Sequence, residues 1–261
     1  MTTPSTALTT GASSGIGRAL AQRFAAAGHA LILVARREAA LQELAQELRQ
    51  RHNITVTVIA HDLSTTGAAA ALMQDIEAAG LEVDILVNNA GLGFNGAFVD
   101  AELPQIQAML QVDMIALTEL CHLALQGMKR RGHGRILNVA SVAAFLPCPQ
   151  FAVYAACKAY VLSLSESLRH ELRDANISVT CLCPGATATE FHAVAGNEGT
   201  LIMRMMDSPE MVAEQAYRAT LAGRGMIISG WINKPLPFFL QLLPRSWAMS
   251  LAGRAARRQV A

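Results

Sequence analysis

Leu8-Thr9-Thr10-Gly11-Ala12-Ser13-Ser14-Gly15-Ile16-Gly17 joins a short apolar and β-branched run to an Ala- and Leu-rich stretch, Arg18 to Ala27. That order reads as strand, glycine loop, helix. Glycines at 11, 15 and 17 let the backbone approach a pyrophosphate closely, and free N–H groups at the start of the following helix favour its negative charge. The spacing is not G-x-G-x-x-G, because three residues separate the first two glycines. Downstream of this unit, apolar strand candidates alternate with longer helical segments. After Ala7–Thr9 they are Ala30–Ala35, Thr55–Ala60, Ile85–Val87, Arg135–Val139, Ser178–Cys183 and Met226–Ser229.

Near-continuous apolar strands suit a parallel sheet covered on both faces, and right-handed crossovers then place helices on each side. The expected fold class is α/β, a doubly wound parallel sheet (Rossmann fold) with a C-terminal helical extension. Its ligand should lie beyond the carboxyl ends of the strands. Glu38–Arg51 carries leucines at 41, 44 and 48 with charges between them, a stripe explained by packing on the sheet. The 261 residues are enough for one well-buried core, so residues 1–261 are expected to form a single domain. Within it, 190–208, with its glycines and Met-rich stretch, reads as a mobile loop with a flexible apolar surface or as packed helix, and 231–261 as an apolar and basic extension.

A formal charge of +1 gives no broad electrostatic case for nucleic acid. The N-terminal residues lack a basic segment followed by an apolar signal core, so a cytoplasmic location is expected. The five cysteines show neither paired zinc spacing nor a disulfide scaffold; reduced thiols and no metal site are expected. In the tail, aromatic and aliphatic residues mix with Arg245, Arg254, Arg257 and Arg258, and Pro244 should divide two short helices. Prolines and charges interrupt its apolar run short of the roughly 20 residues that span a bilayer. The tail is expected at a protein interface or over a pocket, with peripheral membrane contact as the alternative.

Ser141 and then Tyr154-Ala-Ala-Cys-Lys158 carry the chemistry. Tyr and Lys at i and i+4 share a helix face, so a fixed ammonium beside the phenol lowers its pKa from about 10 and makes it a usable acid or base. Taken in order, Thr10-Gly11-x-x-x-Gly15-Ile16-Gly17, Asn88-Asn89-Ala90-Gly91, Ser141, Tyr154-x-x-x-Lys158 and Pro184-Gly185 resemble the short-chain dehydrogenase/reductase family over roughly residues 5 to 230.

The resemblance implies that Tyr154 donates a proton in reduction and accepts one in oxidation, that Lys158 lowers its pKa and holds the nicotinamide ribose, and that Ser141 positions the substrate oxygen. It places Gly11, Ser13, Ser14, Gly15, Ile16 and Gly17 at the cofactor phosphates, Asp62-Leu63 at the adenine, and Asn88, Ala90 and Gly91 at the adenosine ribose. Pro184, Gly185 and Thr187 should face the nicotinamide, with Thr189 near its carboxamide and phosphates, and residues 190–208 should cover the substrate as a lid. Asp62 could equally cap a helix, and Asn89 could tie sheet backbone together. Where NAD-preferring members carry an acid after the second strand, this chain has Ala35 followed by Arg36 and Arg37, which can pair with a 2′-phosphate. NADP(H) is therefore expected over NAD(H), although Ser14 stands where some NADP-preferring relatives have a basic residue.

One position departs from the family pattern. Its fourth catalytic residue is an Asn that holds a water leading from the lysine, and here Asp113 stands in that place within Gln111-Val112-Asp113-Met114. A carboxylate only accepts hydrogen bonds. Asp113 either accepts from that water and attracts Lys158, raising the lysine pKa, or carries a proton itself. Phe94, Phe145, Leu146, Phe151, Phe191, Met203 and Met206 are expected to line an apolar pocket. The expected activity is NADPH-dependent interconversion of a hydrophobic ketone or aldehyde with its alcohol, by a homodimer or homotetramer. A 3-oxoacyl thioester reductase is the enzymatic alternative, and a non-catalytic cofactor-binding sensor the alternative of another class.

Overall fold

The structure is a computed structural model and describes residues 5–196, 206–231, 233–235, 239 and 244–256. Seven strands form one sheet in the order β3-β2-β1-β4-β5-β6-β7. These are β1 (Thr6–Thr10), β2 (Ala30–Ala35), β3 (Val56–Ala60), β4 (Ile85–Asn88), β5 (Gly134–Val139), β6 (Ile177–Cys183) and β7 (Met226–Ile228). Every pairing is parallel; Ala7 opposes Leu31 on one side and Ile85 on the other. Each observed boundary lies within one residue of its sequence expectation, because strong apolar runs bounded by glycine and polar turns leave little choice.

Alternation along the strands feeds two cores. Leu8, Ile32, Val34, Leu86, Ile136 and Val179 face one way, and Ala7, Leu31, Leu33, Ile85, Leu137 and Leu182 the other, all buried. The first face is covered by α3 (Ala68–Ala78), α5 (Leu117–Arg131) and α6 (Ala152–Glu171) through Leu72, Ile76, Leu120, Met128 and Val161. The second is covered by α1 (Gly15–Ala26), α2 (Glu38–His52) and α8 (Pro209–Leu221) through Leu20, Phe24, Leu41, Leu44, Leu48, Val212 and Ala216. This is a Rossmann-type α/β sheet, and the reversal of strand order between β1 and β4 opens a crevice at their carboxyl ends.

Helix α1 begins at Gly15 rather than Arg18, directly after an extended Ser14. Between α4 (Leu103–Leu110) and α5 the chain widens into a π-helical turn, Gln111–Ala116, which turns Val112, Asp113 and Ala116 inward. Such a turn inserts an extra residue into the helical ladder and frequently marks a functional site. The run 103–131 is apolar enough to span a membrane by length and composition, yet Met109, Ala116, Leu120 and Met128 along it are buried inside the protein.

Of the expected lid, the described part is α7 (Phe191–Ala195), closed by Gly196 at φ +70. Of the extension, α9 (Arg245–Ala256) follows Pro244. Gly253 of α9 lies so close to Pro149 that a Cβ would stand 3.2 Å from the proline ring, which sets this helix beside the loop leading into α6.

Leu44 is fully buried at the centre of the α2 stripe. Leu44→Ala is expected to lower unfolding stability by about 2–5 kcal/mol, measured by denaturant titration, with dinucleotide affinity unchanged.

Candidate active site

The crevice starts from the glycine loop. Gly11 (φ +66) and Gly15 (φ +54) adopt the left-handed backbone that side-chain-bearing residues avoid. Gly17 serves a different purpose, since a Cβ there would collide with the Gly11 carbonyl oxygen and the Asn89 side chain. Thr10 and Asn89 staple this loop to the end of β4. The Thr10 Oγ1 accepts from the backbone N–H groups of Asn89 and Ala90, each at 3.0 Å, and donates to the Val87 carbonyl. The Asn89 carboxamide donates to the Thr10 carbonyl at 3.0 Å and to that of Gly11 at 3.4 Å. Asn89 therefore ties backbone together, one of the two roles its position allowed.

Ser141 stands where β5 ends, in extended conformation, and its Oγ accepts from the Ala143 N–H at 3.1 Å. Tyr154 and Lys158 project one turn apart from α6, and the Lys158 Nζ lies 5.6 Å from the phenol ring centroid. The Ser141 hydroxyl lies on the Tyr154 side of the site and favours the ionised phenol. The π-helical turn brings Asp113 into direct contact, its Oδ1 2.7 Å from the Lys158 Nζ. The Asp113 Oδ2 accepts from the Leu92 N–H at 2.8 Å, and Lys158 also donates to the Val139 carbonyl at 3.2 Å.

Burial drives the phenol upward; the Lys158 ammonium and the Ser141 hydroxyl oppose this, and the net direction for Tyr154 is above its ordinary pKa. The ammonium acts in the direction expected from sequence, but desolvation outweighs it. For Lys158, burial alone would lower the pKa, whereas the attraction of Asp113 and Tyr154 wins and holds the ammonium above its usual range. The attraction between Asp113 and Lys158 is made by direct contact.

A cavity of about 530 Å³ runs past these groups. Its lining includes Gly11, Ser13, Ser14, Gly15 and Ile16 of the glycine loop, Arg36, Arg37, Asp62 and Leu63 after β2 and β3, and Ala90, Gly91, Pro184, Gly185, Thr187 and Thr189 after β4 and β6. Ser141, Tyr154 and Lys158 border the same space. Arg37 reaches across it, donating to the Ser13 Oγ at 3.3 Å and pairing with Glu190 at 2.8 Å. The Asp62 carboxylate accepts from the N–H and hydroxyl of Ser64, which together with Arg36 hold its pKa down against desolvation; it closes its own turn and does not cap α3, whose cap is Gly67.

Two expected cofactor residues do not line the cavity. Asn88 is buried, with its carboxamide on Asn138 Oδ1 at 2.9 Å and Cys121 Sγ at 3.2 Å, because as a strand residue it alternates away from the crevice that Asn89 borders. Gly17 lies behind the loop, where its role is close packing. The substrate wall also differs. Phe151 and Phe191 flank the Tyr154 ring, at centroid distances of 5.8 and 5.4 Å. Phe94, Phe145, Leu146 and Met206 do not border the cavity: Phe94 covers Gly96, Phe145 packs on the sheet core, and Met206 is exposed. Met203 lies outside the described residues. Val142, Ala143, Cys148 and His192 take those places, the His192 Nε2 lying 2.8 Å from the Thr187 carbonyl oxygen. Among the described residues no cluster of metal-ligating side chains is present.

The glycine cradle, the helix N-terminus and the elongated cavity fit a dinucleotide. Tyr154 and Ser141 at its inner wall are a proton donor or acceptor and a hydroxyl able to hold a polar oxygen. Comparison with known proteins agrees. Residues 5–198 match the short chain dehydrogenase family model. The chain is 36% identical over 223 residues to sulfoacetaldehyde reductase 2 of Chromohalobacter salexigens, covering 82% of this chain and 88% of that protein. Its fold superposes on a short-chain dehydrogenase from Sphingobium yanoikuyae in complex with NADPH, with TM-score 0.83, 32% identity and 98% of each chain covered. It also matches the bulky-bulky ketone specific alcohol dehydrogenase from Comamonas testosteroni, with TM-score 0.79, 31% identity and coverage of 96% and 95%.

Replacing Gly17 with Ala must push backbone apart at the cradle. Gly17→Ala is expected to weaken dinucleotide binding at least about tenfold and to cost about 1–3 kcal/mol of stability, read by fluorescence titration and thermal unfolding.

Proposed function

This chain belongs to the short-chain dehydrogenase/reductase family, and on that premise we propose that it is an NADPH-dependent reductase of hydrophobic ketones or aldehydes, able to run the reverse oxidation of secondary alcohols. The observation that carries the reading is that Ser141, Tyr154 and Lys158 border the same 530 Å³ cavity as the glycine loop and the Arg36-Arg37 pair. A nicotinamide dinucleotide, when bound, supplies the hydride.

The remaining work belongs to the chain. Tyr154 gives its phenolic proton to the carbonyl oxygen as that oxygen gains charge, and Ser141, bordering the same cavity, orients the oxygen toward it. The Lys158 ammonium, fixed by Asp113 and the Val139 carbonyl, supplies a positive charge beside the forming phenolate. Gly11–Gly15 and the first N–H groups of α1 would take the phosphates. Ala35 offers no carboxylate to a 2′-phosphate, while Arg36 and Arg37 border the place where one would lie. The NADPH complex of the Sphingobium relative supports the same preference.

Phe151, Phe191, Val142 and Ala143 make the substrate wall mainly apolar, which favours a hydrophobic carbonyl compound, and the ketone specificity named for the Comamonas relative supports it. An exposed apolar strip along Phe98, Val99, Leu103 and Ile115 supports the expected homo-oligomer.

The test is cofactor oxidation with NADPH and NADH across ketones, aldehydes and 3-oxoacyl thioesters. NADPH-dependent turnover of apolar ketones is expected, and Tyr154→Phe should lower kcat at least about 100-fold with stability retained. Thioester-selective turnover would replace the substrate class, and tight NADPH binding without turnover on any substrate would sink the catalytic reading. Arg37→Ala should raise KM for NADPH several-fold, about 1 kcal/mol, with little change for NADH.

A further inference from the structure

Lys158 is the cation that acts on Tyr154, and it does not act alone. Its Nζ sits 2.7 Å from Asp113 Oδ1, with side-chain exposures of 6% and 0%. Three elements hold the pair in place. The π-helical turn supplies Asp113, α6 supplies Lys158, and the loop after β4 supplies the Leu92 N–H that engages Asp113 Oδ2 at 2.8 Å. Gly91 of that loop leaves the room: a Cβ there would stand 2.9 Å from Asp113 Oδ1 and 3.2 Å from the Lys158 Nζ.

A neutral carboxamide at position 113, as in the resembling family, would leave the ammonium a full positive charge beside the phenol. A carboxylate in contact turns that charge into one end of a dipole. The field of a lone charge falls with distance far more slowly than that of a close opposite pair, and in a dry site the difference is large. The phenol therefore feels much less positive potential than Tyr-x-x-x-Lys alone would deliver.

We propose that Asp113 is a positioning residue that neutralises Lys158 toward Tyr154 and keeps the tyrosine a proton donor, so that this site is set for carbonyl reduction over alcohol oxidation. The inference rests on Tyr154 being the acid–base group of the proposed reaction. The other groups facing Tyr154 do not replace Asp113. Cys148, from the loop before α6, and Cys157, on α6, have thiols pushed upward by burial, the latter to about 12, so they stay uncharged at neutral pH. From α7, Phe191 packs on the Tyr154 ring and its neighbour His192 borders the cavity; Glu190, one residue earlier, is engaged by Arg37. Burial is the largest cause of the upward shift of Tyr154; the Lys158 ammonium opposes it and the Asp113 carboxylate adds to it.

Tyrosinate absorbance tests this on the full chain without substrate or cofactor. The signal of Tyr154 is isolated by subtracting the Tyr154→Phe titration in each background. In Asp113→Asn the ionisation midpoint is expected to fall by at least about one pH unit, a tenfold change in phenolate fraction. When Asp113→Asn is combined with Lys158→Met, both charges vanish and the midpoint should return to within about one unit of wild type. An unchanged or higher midpoint in Asp113→Asn overturns the proposal. If that variant does not fold, a double variant titrating more than about one unit above wild type does the same, because the ammonium would then dominate in the native pair. A merely structural Asp113 would change thermal stability and leave the midpoint in place. Retention of turnover by Tyr154→Phe would instead defeat the catalytic reading, a result separate from any of these titrations.

Discussion

Everything at the crevice depends on the stitching of β1 to β4 through Thr10 and Asn89. Two neighbouring parallel strands end together, and their carbonyls and N–H groups would be left without strand partners just where the chain must turn away. The Thr10 hydroxyl takes up two of those N–H groups and the Asn89 carboxamide takes up two carbonyls. With the two loops locked, Gly17 can pack without a side chain against Gly11 and Asn89, and Gly91 can lie against Asp113 and Lys158. The cofactor cradle and the proton-transfer groups are thus positioned by one hydrogen-bonded seam.

Beyond that seam, the energetic risk is concentrated in the Asp113–Lys158 pair. Removing two charges from water costs several kcal/mol per ion, and mutual attraction repays it only with good geometry and further hydrogen bonds. The Leu92 N–H on the carboxylate and the Val139 carbonyl on the ammonium provide those bonds. The π-helical turn supplies the carboxylate for this approach, holding Asp113 fully buried behind the cavity lining and against Lys158. A local irregularity in the helix therefore serves an electrostatic purpose on a different element.

The strands and the glycine loop were legible because each is a local pattern: an apolar run, a turn residue, a period. Ser141, Tyr154 and Lys158 were legible as a spacing on one helix and one strand end. Asn88 shows where local reading stops. In Asn88-Asn89 the two side chains point to opposite sides of the sheet, and only the pairing of β4 with β5 shows that Asn88 turns inward to Asn138 while Asn89 faces the crevice. The same limit applies to Cys148, His192 and Glu190, which reach the cavity from the loop before α6 and from the start of α7, whose placement depends on tertiary packing. Phe94 and Phe145 looked equally suited to the wall on composition, yet one covers Gly96 and the other joins the sheet core. The contact of Asp113 with Lys158 spans 45 positions along the chain, 113 to 158, and no periodicity encodes it.

This division between legible and hidden parts follows the division of labour in the site. The groups proposed for proton transfer, Ser141, Tyr154 and Lys158, sit after the end of β5 and on α6, where strand register and helix packing fix them. Groups that meet the substrate sit on the loop before α6 and on α7, supported from outside by α9 through the contact of Gly253 with Pro149. Loops and helix-ends of this kind can change shape without disturbing the sheet, so substrate choice can vary while the chemistry does not. Cys148 and Phe151, on either side of Pro149, put that external support two residues or fewer from the substrate wall. Through Gly253 the C-terminal helix thus lies against the segment whose neighbours, Cys148 and Phe151, line the cavity.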